Sequence, residues 1–271
     1  WRAIVDAPAA HTSRSMQVST LIACAGPTGI DALDDGCKVV CSQHRIMKVA
    51  PDGTVTTLAG SGSATFADGQ GAAAHFANPE DVAVDMLDMY GFVYVADQSN
   101  HRIRKIAPDG TVTTLAGSGN AAFADGQGIA AHFHTPTGAA VDGDGCVYVA
   151  DQSNHRIRKI APDGTVTTLA GSGNAAFADG QGIAAHFHHP AGVAVDGDGC
   201  VYVADQSNHR IRKIAPDGTV TTLAGSGNAA FADGQGIAAS FHNPAGVAVD
   251  GDGYVYVADR SNHRIRKIAP D

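Results

Sequence analysis

Three histidines, His134, His188 and His242, recur at intervals of 54 residues, each two residues ahead of a proline. Neutral imidazole is a common zinc ligand, and three protein ligands with one open position is the pattern of catalytic zinc. His132 and His186 stand two residues before the first two of them. In an extended segment they share a side with His134 and His188. His75 is their counterpart one unit earlier, where Ala77 interrupts the series. His189 and Asn243 follow His188 and His242 directly. These residues, His132, His134, His186, His188, His189, His242 and Asn243, are the candidate ligand-binding set. His134, His188 and His242 are candidate zinc ligands within it. A polar channel mouth holding water or an anion, or plain loop packing, fits the same spacing, because duplication of a unit copies every residue in it.

The elements that position these histidines repeat with them. His101–Asn154 recurs as His155–Asn208 and as His209–Asn262. The first two copies differ only at Thr135/His189, Thr137/Ala191 and Ala139/Val193. The next pair differs at His186/Ser240, His189/Asn243, Cys200/Tyr254 and Gln206/Arg260. A looser copy runs from His44 to Asn100. Such a period points to a solenoid or a propeller.

Each unit reads as four short strands. Gly192–Val195 alternates large and small apolar residues, and Asp196-Gly-Asp-Gly199 follows as a hairpin turn. Val201–Ala204 is a second strand, His209–Ile214 a third, and Val220–Leu223, rich in β-branched residues, a fourth. Ala215-Pro-Asp-Gly218 separates the last two. Four antiparallel strands per repeat describe a propeller blade. Pro27, Pro79, Pro136, Pro190 and Pro244 each open a first strand, which predicts an all-β, five-bladed propeller. The last blade stops at its third strand. Residues 17–23 are expected to supply the fourth and close the ring, with residues 1–16 as an N-terminal extension and 17–271 as one domain. Trp1–Pro8 also reads as a remnant third strand, which would derive the chain from a six-bladed parent. The chain starts Trp1-Arg2-Ala3, without an initiator methionine, and reads as a fragment or processed product.

Pro190-Ala-Gly-Val-Ala-Val-Asp196, Val201-Tyr-Val-Ala-Asp205 and Asn208-His-Arg-Ile-Arg-Lys-Ile214 resemble the NHL repeat. The resemblance covers residues 17–271. Blade 1 departs from it, because Cys41-Ser-Gln-His44 lacks the Asp and Asn of the signature. It implies a binding platform for proteins, RNA or small ligands. One enzymatic branch, similar to peptidylglycine amidating lyases, uses metal.

Composition narrows the choice. Net charge is −9, against the basic face that nucleic-acid binding needs. No apolar run approaches the roughly 20 residues of a membrane helix. Five cysteines without a CxxC pair read as a mostly reduced set, with Cys146 and Cys200 as packing residues. The Asp-Gly-Asp-Gly turns lack the later Glu of a calcium loop and read as hairpins. Four 19-residue loops, 61–79, 118–136, 172–190 and 226–244, hold eight of the nine phenylalanines. Each Phe pair is expected to pin its loop to a blade, with residues 182–186 as a short helical turn. The third strand carries two arginines and a lysine. Its arginines are expected to pair with flanking aspartates such as Asp205 and Asp217. The function expected from these residues is a non-enzymatic, monomeric binding or scaffold propeller. It would take a protein or small-molecule ligand on the long-loop face. The alternative is a metal-dependent lyase or hydrolase with a histidine-lined zinc site at the channel mouth.

Overall fold

The computed structural model describes residues 26–33, 35–85 and 91–270. Five antiparallel sheets follow one another along the chain, each with its first strand innermost. The inner strands are Pro27–Ala32, Pro79–Asp85, Pro136–Val141, Pro190–Val195 and Pro244–Val249, and successive ones touch along the channel. The five blades form a β-propeller. The fifth sheet contains three strands among the described residues, ending at Arg264–Ile268. The closing strand expected from residues 17–23 lies outside the described residues, as do residues 1–16.

Alternation along the second strand builds the core. Side chains on a strand point alternately to its two faces. In Val201–Asp205, Val201 and Val203 pack toward blade 3, among Tyr148, Ala150 and Ile157. Tyr202 and Ala204 pack toward blade 5, among Val255 and Val257. The seams between blades 2 and 3, 3 and 4, and 4 and 5 therefore each receive two valines from one side and a tyrosine–alanine pair from the other, while blade 1 offers Val39 and Cys41 to Val93 and Val95. Phe187, fully buried, fills the same seam as Val201 and Val203. One phenylalanine of each long loop is thus core.

The long loops do not hang free. In blades 2, 3 and 4 a two-residue strand from the preceding loop pairs with the outermost strand, as Gly126–Gln127 does with Thr165 and Val166. A single 3-10 turn follows, Gly182–Ala184 in the third loop, in the place expected for a helical turn. The Asp-Gly-Asp-Gly segments are hairpin turns. Asp142 accepts backbone N–H bonds from Asp144 and Cys146 and a hydroxyl bond from Tyr148. Its carboxylate is fully used in shaping the turn. The four described cysteines are free thiols. No described helix is long and apolar enough to cross a membrane.

Candidate functional site

The loop face is held by an arginine in the third strand. Arg158 is completely buried and lies beside a register shift between Ile157 and Arg158. It donates to Asp151 Oδ2 at 2.7 Å within the blade and to Asp125 Oδ1 at 2.6 Å in the long loop. It also donates to the carbonyls of His132 and Ala124. Phe123 and Phe133 stand over its guanidinium. Asp151 accepts in addition from the His134 backbone N–H and the Asn154 side chain. The same hub recurs around Arg104, Arg212 and Arg266. A buried cation with two carboxylates and two carbonyls in planar reach fixes the loop's path. The pairing of Arg212 with Asp205 occurs as expected, but its second carboxylate is Asp179, 33 residues upstream, and not Asp217. Asp217 instead accepts the Thr219 N–H and closes its own turn. The arginines are therefore consumed by the fold.

Histidines occupy the top of each seam. His101, His155 and His209 have left-handed backbone (φ 53–54°) and accept at Nδ1 the N–H of Thr135, His189 and Asn243 in the next blade. The rings of His134, His188 and His242 stand edge-on to these same histidines, with centroids 5.7 Å apart. The three candidate zinc ligands thus each pair with a histidine of the preceding blade. Among the described residues no group of three or more His, Cys, Asp and Glu could hold a metal ion, His134, His188 and His242 included. His132 and His186 turn away into their loops, where Nδ1 meets the hydroxyls of Ser118 and Ser172. His189 adds a third ring to one seam, 4.7 Å from His155 and 4.9 Å from His188. Burial, and then the neighbouring His189 and His188, hold His155 down at about 4. Asn243 bonds Ser261 across its own blade.

The channel mouth on this face contains residues that the repeat pattern did not single out. A cavity of about 360 Å³ is lined by Thr28, Glu80, Asp81, Thr137, Gln98, Gln152, Gln206 and Arg260, with small residues between them. Gln98, Gln152, Gln206 and Arg260 are equivalent positions that open the 3-10 turns after the second strands. Glu80 and Asp81 stand where blades 4 and 5 have Ala191-Gly192 and Ala245-Gly246. Burial raises Glu80, and the charge of Arg260 opposes the rise. Asp81 accepts N–H bonds from Val82 and, across the channel wall, Ala139. Burial nevertheless lifts its carboxyl to about 7, with Asp31 and Glu80 adding to the effect. The signal for these residues was present in the sequence. Glu80 is the only glutamate, and Arg260 is one of seven differences among three near-identical copies.

A ring of repeated blades with a decorated loop face defines a β-propeller repeat protein. The NHL repeat model matches residues 133–160, 187–214 and 241–268, one match in each of blades 3, 4 and 5. Blades 3, 4 and 5 of this β-propeller are thus NHL repeats. The protein SUPPRESSOR OF QUENCHING 1, chloroplastic, from Arabidopsis thaliana is 31% identical over 230 residues, covering 79% of this chain and 22% of that protein. NHL repeat-containing protein 2 from Bos taurus is 36% identical over 175 residues, covering 59% of this chain and 24% of that protein. The chain thus spans about a quarter of the length of these relatives. A solved auxiliary nutrient binding protein from Bacteroides ovatus superimposes with a TM-score of 0.67 at 21% identity, over 90% of this chain and 59% of that one. That similarity is one of fold.

Proposed function

We propose that this propeller is a non-enzymatic binding module that engages a protein or small-molecule ligand through its long-loop face. One observation carries the reading. The loops of this face are fixed by buried arginine hubs, while Glu80, Gln98, Gln152, Gln206 and Arg260 converge at the channel mouth and make no side-chain hydrogen bond or ion pair among the described residues. A rigid scaffold presenting unpaired polar groups is how binding surfaces are usually built. On the opposite face Asp142, Asp196 and Asp250 spend their carboxylates on their own turns, although Asp144, Asp198 and Lys159 line a second cavity of about 440 Å³ there. A metal-dependent lyase or hydrolase would need ligands drawn together, and here the histidines close seams between blades instead.

The test is a thermal-shift screen against a metabolite library and a peptide array, with hits measured on two variant sets. Hits lost in Gln152→Ala and His188→Ala but retained in Asp144→Ala and Asp198→Ala support the loop face. Hits with the reverse dependence would overturn it.

A further inference from the structure

The mouth carries opposite charges that do not meet. Glu80 projects from the inner strand of blade 2 and Arg260 from the 3-10 turn of blade 5, and both line the same cavity. The field of Arg260 reaches Glu80. Yet neither side chain forms an ion pair or a hydrogen bond among the described residues. Arg104, Arg158 and Arg212, whose guanidinium groups are buried, each hold two carboxylates, whereas Arg260 is exposed. Among the described arginines Arg260 alone makes no side-chain hydrogen bond or ion pair, so its facing an unpaired carboxylate is a distinct arrangement.

Both charges are departures from a copied pattern. The position of Arg260 is Gln98, Gln152 and Gln206 in blades 2, 3 and 4, and the position of Glu80 is Ala191 and Ala245 in blades 4 and 5. Three glutamine amides and the hydroxyl-bearing Thr28 and Thr137 fill the rim between the charges. Asp81 lies one residue deeper beside Glu80 and places a second carboxyl on the same side. The cavity volume, about 360 Å³, lies at the small end of ligand pockets.

Resting on the loop-face reading, we infer that the channel mouth binds a small zwitterion of amino-acid size. Its ammonium faces Glu80 and Asp81, its carboxylate faces Arg260, and the three glutamine amides hydrogen-bond its polar middle. A guanidinium suits a carboxylate because its donors form a planar fork. A compact ammonium suits paired carboxyls. A ligand with both charges replaces the missing ion pair with two charge-assisted contacts. A neutral sugar would leave both charges unmet, and a diamine or a dicarboxylate would put like charges against one end.

Isothermal titration calorimetry on the full chain tests this with defined probes. L-glutamine and γ-aminobutyrate are the zwitterions, glucose the neutral probe, putrescine the diamine and succinate the dicarboxylate. At least one zwitterion is expected to bind, with putrescine, succinate and glucose at least tenfold weaker. Glu80→Ala and Arg260→Gln should each weaken that binding at least tenfold. Both variants install the residue that an equivalent blade already carries, so they preserve the fold. Binding of glucose or putrescine that is lost in Glu80→Ala would overturn the zwitterion and leave the loop-face reading standing. Zwitterion binding unchanged in both variants but lost in Asp144→Ala would overturn both readings. No response to either zwitterion at millimolar concentration would overturn this site alone.

Discussion

At the rim, Arg104, Arg158, Arg212 and Arg266 are four copies of one device, each joining a blade aspartate to a loop aspartate. At the mouth, Glu80 and Arg260 occur once each, and the neighbouring blades carry other residues at their positions. The rim satisfies its charges inside the protein, while the mouth leaves them facing the cavity. Residues copied from blade to blade serve the geometry that every blade needs. A ring of identical blades has no preferred direction, so polarity across its channel must come from positions that escaped copying.

Blade 5 shows what the rim device requires. Without a fourth strand among the described residues, Arg266 is 9% exposed and its loop partner Asp233 is 83% exposed. In blade 4, Arg212 is fully buried and Asp179 is 45% exposed. In blade 4 the outer strand adds to the hub, Thr222 donating its hydroxyl to Asp179. The difference is one of desolvation, which sets both the strength of the ion pair and the penalty for breaking it.

The largest effect expected from breaking the rim is Arg158→Ala. It leaves Asp151 buried without its cation and should cost about 3–5 kcal/mol in urea unfolding. Arg156→Ala should cost only about 1 kcal/mol, because Arg156 is half-buried and stacks 3.7 Å over the exposed ring of Phe123. Equal losses from the two would remove the distinction between hub and neighbour.

The mouth predicts a pH dependence of particular sign. Asp81 has a folded value of about 7, above the ordinary 3.8. Above pH 7 it is ionised in both states and its burial is a full cost. As pH falls from 7 toward 4, the folded state takes up a proton first, and stability rises. Asp81→Asn keeps the size and removes the titration, so the wild type should gain on this variant as pH drops through that window. Parallel melting curves against pH would refute the assignment.

The seams predict the opposite sign. His155 is held at about 4, mainly by burial and then by His189 and His188. Its neutral form stabilises the fold above the ordinary 6.5, and that contribution is lost as pH falls from 6.5 toward 4. His189→Asn, the residue already present at Asn243, should raise the His155 value in an NMR titration and lessen the acid loss. An unmoved His155 would show that the third ring is electrostatically idle.

The smallest effect concerns backbone. Thr135 is β-branched yet sits at φ 51°, where Asn78 and Asn243 occupy the equivalent places at 50° and 52°. Asparagine tolerates this region better than threonine. Thr135→Asn should stabilise by up to about 1 kcal/mol in the same unfolding assay.

The blade pattern was legible because strand alternation and turn residues act locally. Pro190–Val195, Val201–Asp205 and Arg210–Ile214 lie within a residue or two of where the sequence places them. The Arg212–Asp179 pairing was not legible, since it depends on a loop folding back over its blade from 33 residues away. Asp217, adjacent in sequence, was the natural but mistaken second partner, and its turn consumes it. Extended geometry made His132 and His134 candidates on one side, yet a serine captures one and a histidine of the previous blade meets the other. Spacing along the chain cannot show which seam a ring enters. Glu80 and Arg260 were visible only as differences, and differences gain meaning once the fold brings them to one cavity.

Thermal unfolding of the Glu80→Ala/Arg260→Gln double variant, with and without the zwitterion that binds the wild type, tests the division between copied and uncopied residues most directly. The division predicts an unliganded Tm within about 2 °C of the wild type, a shift of less than about 1 kcal/mol in a domain of this size. It also predicts that the ligand no longer raises the Tm. A fall in Tm as large as that of Arg158→Ala, or an undiminished ligand response, would contradict it.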